Sequence, residues 1–258
     1  MNTFKEIYEY RQMIFSLVKK DLRGRYKGSV LGFLWTFINP LLQLLVFTMV
    51  FSVILRSDID KYYLFLFVAL IPWNFFASSL SGGARAILND QSLVTKIYFP
   101  REVLPIAYIT SGFVNMLYCF IVVFIVVILS GISLNPIALL CLIPVMLIEY
   151  IMALGVAFFT SAVTVYFRDF EHIMGVIAMA WQYLTPVMYP TTWVPEELMF
   201  VFNANPMTPV ILAYRDILYY GQIPEMTTLI SALIFAVVIF FVGFIVFSVL
   251  KKRFAEEM

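Results

Sequence analysis

The chain has 258 residues, of which 62% are hydrophobic and 13% are charged, and its mean hydropathy is +0.93. This is more apolar surface than a soluble core of this size can enclose. The composition therefore excludes a water-soluble globular domain and indicates an integral membrane protein. The formal net charge of +1 gives no indication of a nucleic-acid partner.

Residues 1–32 precede the first long apolar run and show the pattern of an amphipathic helix. Apolar residues at helical spacing form one stripe, and most of the lysines and arginines lie off it. The stripe consists of Phe4, Ile7, Tyr8, Ile14, Phe15, Val18, Leu22 and Tyr26, with Arg11 intruding on it. We expect a helix in the cytoplasmic membrane interface whose basic side chains reach anionic headgroups. A plain membrane anchor with no part in the mechanism is the alternative.

Six apolar runs are long enough to cross the bilayer as helices, since a crossing needs about 20 residues. They cover about residues 33–55, 62–80, 105–130, 136–165, 173–189 and 228–250. The runs are continuous, which excludes the alternating strands of a membrane barrel. We predict an all-α integral membrane protein with one transmembrane domain over residues 1–258. In it, residues 33–250 hold six spans and residues 251–258 form a cytoplasmic tail.

The placement of basic residues predicts the orientation. With the N-terminus in the cytoplasm, only Arg56, Lys61 and Arg215 of the 17 lysines and arginines fall in outer segments. Connections rich in lysine and arginine stay on the cytoplasmic side of the membrane. Both termini are therefore predicted to be cytoplasmic.

Polar residues on the first and fifth spans predict a substrate pathway. The first span carries Trp35, Asn39 and Gln43 at successive i+4 positions, and the fifth carries Gln182, Thr185 and Tyr189 at i, i+3 and i+7. Uncharged polar groups are disfavoured in lipid unless they are paired or hydrated, so both faces are expected to point inward. Amides and aromatic rings together suit the hydroxyls and apolar faces of sugars. Simple hydrogen bonding between helices is the alternative.

The connection between the second and third spans, residues 81–104, is expected to contain a short amphipathic helix. It has a helix start at residues 89–92 and helix stops at Pro100 and Pro105. The residues expected to contact a soluble partner are Asn89, Asp90, Leu93, Val94, Lys96, Ile97 and Tyr98. An amphipathic helix held between turns is typical of a docking contact. An ordinary surface loop is the alternative.

A second cytoplasmic turn lies between the fourth and fifth spans and reads Arg168-Asp169-Phe170-Glu171-His172. Arg168 and Asp169 are assigned to the same partner contact. His172 is the only histidine of the chain. Because no nucleophile or second ligand lies near it in sequence, catalysis at this turn is not expected.

Glu149 is the only ionisable residue well inside a predicted span. A charge there costs roughly 2.5–3.5 kcal/mol, so the carboxyl group must be protonated, paired or hydrated. A structural hydrogen bond from the neutral group is the favoured interpretation, and proton coupling is the alternative. Cys119 and Cys141 lie within spans as small hydrophobes, so neither a disulfide nor a metal site is expected.

Residues 190–227, between the fifth and sixth spans, combine five prolines with apolar and aromatic residues. Fragments at 198–202 and 209–220 are too short or too polar to cross the membrane and too apolar for a loop in water. They fit short re-entrant helices, which are tolerated at membrane depth when buried in protein or lining a cavity. We interpret them as an outer gate, with a helical cap as the alternative.

No Gly-x-x-x-x-Gly-Lys-Ser/Thr motif occurs, and no cytosolic segment is long enough to bind a nucleotide. Energy from ATP would have to come from a separate subunit. No nucleophile elbow and no carboxylate pair lies at the membrane face. The chain itself is therefore not expected to be an enzyme.

Four blocks of sequence, in order along nearly the full length, are similar to a known family. They are Arg23-Gly24-Arg25-Tyr26-Lys27-Gly28-Ser29-Val30-Leu31-Gly32 followed by Trp35 and Pro40, Tyr166-Phe167-Arg168-Asp169, Thr185-Pro186-Val187-Met188-Tyr189, and Asn205-Pro206-Met207-Thr208-Pro209. In these blocks the chain resembles the type-2 permease family of ABC transporters. Within that family it resembles the O-antigen and teichoic-acid export permeases.

The resemblance implies a homodimer of this permease with two copies of an ATPase subunit, which would hold ATP and Mg. This chain would carry no cofactor. The cargo would be an undecaprenyl-linked glycan moved outward across the bacterial inner membrane. The segment from Asn89 to Pro100 would be the coupling helix, and spans one and five would line the channel. The hinge into span one would contain Arg23, Arg25, Tyr26 and Lys27.

Two other hypotheses compete with polysaccharide export. A type-2 ABC exporter of a lipid or drug would share the same topology. A proton-coupled secondary carrier would use Glu149, and it would need further titratable groups in the membrane and usually repeated halves.

Overall fold

The computed structural model describes residues 3–25 and 27–257, and every regular element in this part of the chain is a helix or helical turn. The α-helices are α1 (Thr3–Glu9), α2 (Arg11–Gly24), α3 (Trp35–Thr48), α4 (Tyr62–Ala84), α5 (Gln91–Lys96), α6 (Val103–Leu129), α7 (Pro136–Tyr166), α8 (Phe170–Tyr183), α9 (Met199–Ala204), α10 (Met207–Leu218), α11 (Met226–Leu250) and α12 (Phe254–Glu257). The predicted all-α fold is confirmed for the described residues.

Five stretches of this part of the chain are helical, apolar and long enough to cross a membrane. They are Gly32–Ile54, which contains α3, together with Tyr62–Ala84, Val103–Leu129, Pro136–Tyr166 and Met226–Arg253. Their bounds agree to within a few residues with the first, second, third, fourth and sixth predicted spans. The hydrophobic runs of the sequence therefore located these five helices correctly.

The fifth predicted span, about residues 173–189, is not one continuous helix. Helix α8 has 14 residues, and at roughly 1.5 Å per residue it rises about 21 Å, less than the roughly 30 Å of the hydrocarbon core. It ends at Tyr183 because Pro186 lacks an N–H and disfavours the helical conformation in the residue before it. Contrary to the prediction, Thr185 and Tyr189 lie beyond α8 and share no helical face with Gln182.

Helix α4 is the centre of the bundle. Its sequence is apolar on every side, as expected for a helix that is buried all round, and most of its side chains are inaccessible. It packs against α3, α6, α7, α8 and α10. Helices α3 and α8 thus lie on the same central helix, and large apolar side chains on both of them remain exposed.

Helices α7 and α11 form the most extensive helix pair, and glycines allow their backbones to touch. A Cβ atom on Gly243 would lie 1.9 Å from the carbonyl oxygen of Gly155. A Cβ atom on Gly155 would lie 2.5 Å from the Cα atom of Phe240. Small residues at such points permit close packing of helices in membranes.

The predicted interfacial helix is two helices, α1 and α2, which are separated at Tyr10. Helix α2 packs against α6 and buries Val18, whereas Lys19 and Arg23 are exposed. Of the predicted apolar stripe, Val18 is therefore turned toward the bundle, whereas Tyr8 and Phe15 are exposed. Tyr26, assigned to the hinge, lies outside the described residues.

The residues after α11 fold back onto the bundle. Lys251 forms an ion pair with the buried carboxylate of Glu102, which precedes α6. Phe254 is fully buried and packs edge-on against Phe247. Helix α12 contacts both α5 and α7. The C-terminal segment therefore supports the short helix α5 by connecting it to α7.

Candidate functional site

A polar cleft lies between α3, α4 and α6. We define it by Trp35, Asn39, Gln43, Asn74 and Asn115, which line a cavity of about 190 Å³. The Nδ2 atom of Asn74 donates a hydrogen bond to Oε1 of Gln43 at 2.8 Å. Asn39 and Gln43 remain exposed at the mouth of the cleft. The structure therefore brings together the three residues predicted on the first span.

Sequence reasoning missed Asn74 on α4 and Asn115 on α6. The hydroxyl group of Thr36 donates to Oδ1 of Asn115 at 3.3 Å, which joins α3 to α6. Both asparagines interrupt long apolar runs, and that signal alone could have found them. At i+4 they are followed by Ser78 and Cys119, which are not amides, so the amide spacing that identified Asn39 and Gln43 passed over them.

Pro40 creates a further polar contact beside the cleft. Proline has no N–H, so it cannot bond the carbonyl oxygen four residues back, which belongs to Thr36. The Sγ atom of Cys119 on α6 donates to this carbonyl at 3.3 Å. Cys119, predicted to be only a small hydrophobe, therefore also satisfies a backbone acceptor that the proline leaves unpaired.

Arg25 lines the end of the polar cleft that lies nearest the interfacial segment. Its Nε atom donates to Oδ2 of Asp21 at 3.0 Å, and its Nη2 atom donates to Oγ of Ser111 at 3.1 Å. Ser111 also donates to Asp21. Beside this network, the indole N–H of Trp35 donates to Oγ of Ser29 at 2.9 Å. Arg25, which the sequence assigned to a hinge, is thus fixed to α6 through a small hydrogen-bond network.

A second cavity, of about 540 Å³, lies between α2, the start of the first span and α6. Its walls are mainly apolar and include Phe15, Val18, Leu22, Phe33, Val114 and Tyr118. Lys19, Arg23 and Lys27 line it as well, and no acidic residue does. Within the described ranges none of these three cations forms an ion pair. We call this the basic-rimmed cavity.

The three residues predicted on the fifth span lie apart from the polar cleft. Gln182 is half-buried near the end of α8. Thr185 is fully buried, where its hydroxyl donates to the carbonyl of Trp181 at 2.9 Å and accepts from Nδ2 of Asn205 at 2.8 Å. The hydroxyl of Tyr189 donates to a backbone carbonyl at the end of α8. The hydroxyl groups of Thr185 and Tyr189 therefore bond to backbone carbonyl groups of α8 near its C-terminal end.

Asn205 is a third residue that the sequence did not single out by its chemistry. Its Nδ2 atom also donates to the carbonyl of Leu184 at 2.9 Å, and its Oδ1 atom accepts from the indole N–H of Trp181 and the backbone N–H of Met207, each at 3.0 Å. All the hydrogen-bonding positions of this amide face the ends of α8 and α10. Asn205 thus joins the two helices.

Helix α5 presents one anchored face and one exposed face. Val94 is buried and Leu93 is half-buried, so they hold the helix to the bundle. Beside them Ile97 is 54% exposed and Tyr98 is 82% exposed. Asn89 and Lys96 are exposed too. The segment therefore offers an apolar and aromatic surface for contact with another molecule.

Two hydrogen bonds join this segment to the interfacial helices. The Nζ atom of Lys20 and Oδ1 of Asp90 are 2.6 Å apart in an ion pair. The hydroxyl of Tyr10 donates to the carbonyl of Tyr98 at 3.3 Å. These two contacts connect the segment around α5 to α2 and to Tyr10, which separates α1 from α2.

The turn between α7 and α8 exposes Arg168 and Asp169. Arg85, directly after α4, forms an ion pair with Glu171 through two hydrogen bonds. The ion pair places the turn beside the connection from α4 to α5, and the two segments predicted to contact a partner lie at the same end of the bundle.

Glu149 on α7 is fully buried and accepts a hydrogen bond from the hydroxyl of Tyr214 at 2.6 Å. Its Oε1 atom has no hydrogen-bond partner among the residues that the structure describes. The contact joins α7 to α10. It supports the interpretation of Glu149 as a structural hydrogen-bonding group.

A bundle of long apolar helices, with a polar cleft inside it and an exposed apolar and aromatic surface at one end, has the construction of a membrane transport protein. The ABC-2 type transporter family matches residues 12–219, and the chain belongs to this family.

Three named proteins are similar to this chain over most of its length. An O-antigen export system permease protein RfbA of Myxococcus xanthus is 34% identical, with 98% of each chain covered. A protein of the same name from Klebsiella pneumoniae is 33% identical over 95% of this chain and 94% of the relative. The polysialic acid transport protein KpsM of Escherichia coli is 22% identical over 88% of this chain and 89% of the relative.

Proposed function

We propose that this chain is the membrane-spanning permease subunit of an ATP-driven exporter, which moves a polysaccharide to the outer face of a bacterial inner membrane. The observation that carries the proposal is the similarity, over almost the whole of both chains, to O-antigen export permeases. ATP and Mg belong to a separate ATPase subunit in this proposal, and the permease itself performs no catalysis.

In the proposed topology both termini are cytoplasmic and the chain crosses the membrane six times. Helix α8 and the non-helical residues 184–189 together form the fifth crossing. Helices α9 and α10 are re-entrant on the outer side. In support, α10 is buried against α4, α7 and α11, as a helix that enters the membrane without crossing it must be.

The substrate pathway is proposed to lie between two copies of the permease. A single bundle of this size does not enclose a sugar chain, and the exposed faces of α3 and α8 are the natural walls of a shared channel. Asn39 and Gln43 carry amide donors and acceptors on the exposed side of α3, and Gln182 carries another on α8. Trp35 and Tyr189 add aromatic surface near these walls.

The cargo is proposed to be linked to undecaprenyl phosphate or pyrophosphate. The basic-rimmed cavity supports this because apolar walls suit a lipid chain and cations suit a phosphate. Replacing Arg23 and Lys27 by glutamine should lower export of the lipid-linked glycan. The partner ATPase should still co-purify in normal amount, because neither side chain lies on the exposed face of α5. Unchanged export would remove the cavity from the proposed mechanism.

The ATPase is proposed to dock on the exposed face of α5 together with the turn at Arg168 and Asp169. Ile97→Asp and Tyr98→Asp should abolish co-purification of the ATPase, because each places a charge on the apolar contact surface. Ile223→Asp is the matched control: Ile223 is 52% exposed in the connection between α10 and α11. If all three variants retain the ATPase equally, the docking surface lies elsewhere.

Reconstitution tests the function itself. Vesicles containing the permease and its ATPase should move lipid-linked glycan across the membrane only when ATP is supplied. Movement by the permease alone, driven by a proton gradient and lost in Glu149→Gln, would favour the secondary carrier. Equal movement of a lipid that carries no glycan would favour the lipid or drug exporter.

A further inference from the structure

Residues 184–189 are not helical, although they continue from α8 toward the proposed outer side of the membrane. Backbone carbonyl groups outside a helix need other hydrogen-bond donors, and lipid provides none. The donors for this segment must therefore come from the side chains packed around it.

Three consecutive carbonyl groups of the segment receive side-chain hydrogen bonds. Arg215 donates from Nη2 to the carbonyl of Val187 at 2.7 Å and from Nη1 to that of Tyr189 at 3.4 Å. Between them, the carbonyl of Met188 accepts from the hydroxyl of Tyr62 at 2.8 Å. Arg215 and Tyr62 thus supply hydrogen-bond donors to all three carbonyl groups.

Arg215 lies in a buried site where none of the described carboxylates pairs with it. It is 1% exposed, its guanidinium carbon lies 3.5 Å from the centre of the Phe65 ring, and its Nε atom donates to the carbonyl of Phe65 at 3.4 Å. Within the described ranges it forms no ion pair. A buried cation is costly, and an apolar side chain would fill the same space without that cost. An apolar side chain has no N–H donors, whereas the guanidinium group of arginine donates to several carbonyl groups at once.

The same contacts connect three elements. Arg215 belongs to α10, Tyr62 is the first residue of α4, and the carbonyls that they bind follow α8. At its opposite end α4 is followed by Arg85, which holds Glu171 at the start of α8. Helix α4 therefore holds the α8 segment at both ends, once through Arg85 and once through Tyr62.

We propose that Arg215 and Tyr62 are positioning residues for export: they lock residues 187–189 and α10 to the outer end of α4. A movement imposed on α4 and α8 at the ATPase-facing end then moves residues 187–189 and α10 together with α4. The non-helical residues after α8 do not bend to take up this movement. This inference rests on the function and orientation proposed above.

Hydrogen exchange on the assembled complex tests the lock itself. Arg215→Met keeps a side chain of similar reach but removes the donors, so peptides covering 184–190 should exchange about tenfold faster, and Tyr62→Phe should raise the rate about threefold. Peptides from α7 and α11 should be unchanged in both variants. Arg56→Met, which removes another cation from the proposed outer side, is the matched control and should exchange like the wild type.

Transport then tests the positioning role. In vesicles with the ATPase, the amount of glycan moved per ATP hydrolysed should fall about tenfold in Arg215→Met while complex assembly and ATP hydrolysis persist. Arg215→Lys retains a cation with three N–H donors and should restore part of the ratio. Should Arg215→Met fail to assemble, Tyr62→Phe decides the question with a smaller loss of the same kind.

If Arg215→Met keeps the exchange rates and the transport ratio of the wild type, these side chains only fill space. Where Arg215→Met does not assemble, the same result in Tyr62→Phe leads to the same conclusion. That result is distinct from failure of the proposed function, in which the wild-type complex itself moves no glycan with ATP.

Discussion

Replacing Gly243 by alanine should destabilise the contact between α7 and α11. The new Cβ atom would lie 1.9 Å from the carbonyl oxygen of Gly155, and the two backbones must separate by about 1.1 Å to restore a 3.0 Å contact. The obstacle is backbone, so no side-chain rotation relieves it. We take an overpacking cost of about 3 kcal/mol and a gain of about 1 kcal/mol in helix propensity. The expected net loss is about 2 kcal/mol.

Gly175→Ala is the matched control, since a Cβ atom there would meet nothing within 4 Å. It keeps the gain in helix propensity of about 1 kcal/mol and has no clash, so the two variants should differ by about 3 kcal/mol. Reversible unfolding in mixed detergent micelles measures both free energies. Equal free energies of unfolding for the two variants would refute the close approach of α7 and α11 at Gly155.

Three further perturbations address the cleft, the link to the interfacial helices and the C-terminal segment. Gln43→Leu removes the partner of Asn74 and an exposed amide, so glycan export should fall while complex assembly is unchanged; full export would exclude the cleft from the pathway. Lys20→Asp and Asp90→Lys should each reduce ATP hydrolysis stimulated by glycan, and the charge-swapped double variant should recover it, whereas additive losses would contradict a direct pair. Phe254→Ala removes a fully buried ring and should cost about 3–5 kcal/mol, measured as a lower thermal midpoint; an unchanged midpoint would show that the C-terminal segment does not support α5.

Much of the fold was predictable because the bilayer imposes a length on each span. Five apolar runs became five long helices with nearly the predicted bounds, and the short helices α5, α9 and α10 arose where helix starts and prolines indicated them. The fifth span was predicted as continuous because hydropathy averages over a window and takes no account of one proline. Pro186 ends the helix locally. Asn205, Tyr62 and Arg215 then donate hydrogen bonds to carbonyl groups of the irregular backbone that follows α8.

The candidate site was predictable in part. The i+4 spacing identified Trp35, Asn39 and Gln43, which do line one cleft. Asn74 and Asn115 join them from other helices, and no spacing rule along a single helix reaches across helices. From the sequence Arg215 is only one of three basic residues on the predicted outer side, since its burial against Phe65 depends on how α10 packs on α4.

The sequence by itself determined that this is a multi-span helical membrane protein, where its long helices begin and end, and which connections carry its basic residues. These properties follow from local composition, because transfer of apolar side chains into lipid depends on the residues of one segment at a time. Only the tertiary structure decided which polar groups meet and which carbonyls an arginine holds. Those contacts join residues far apart in the chain, and their energies depend on distances that exist only after the helices have packed.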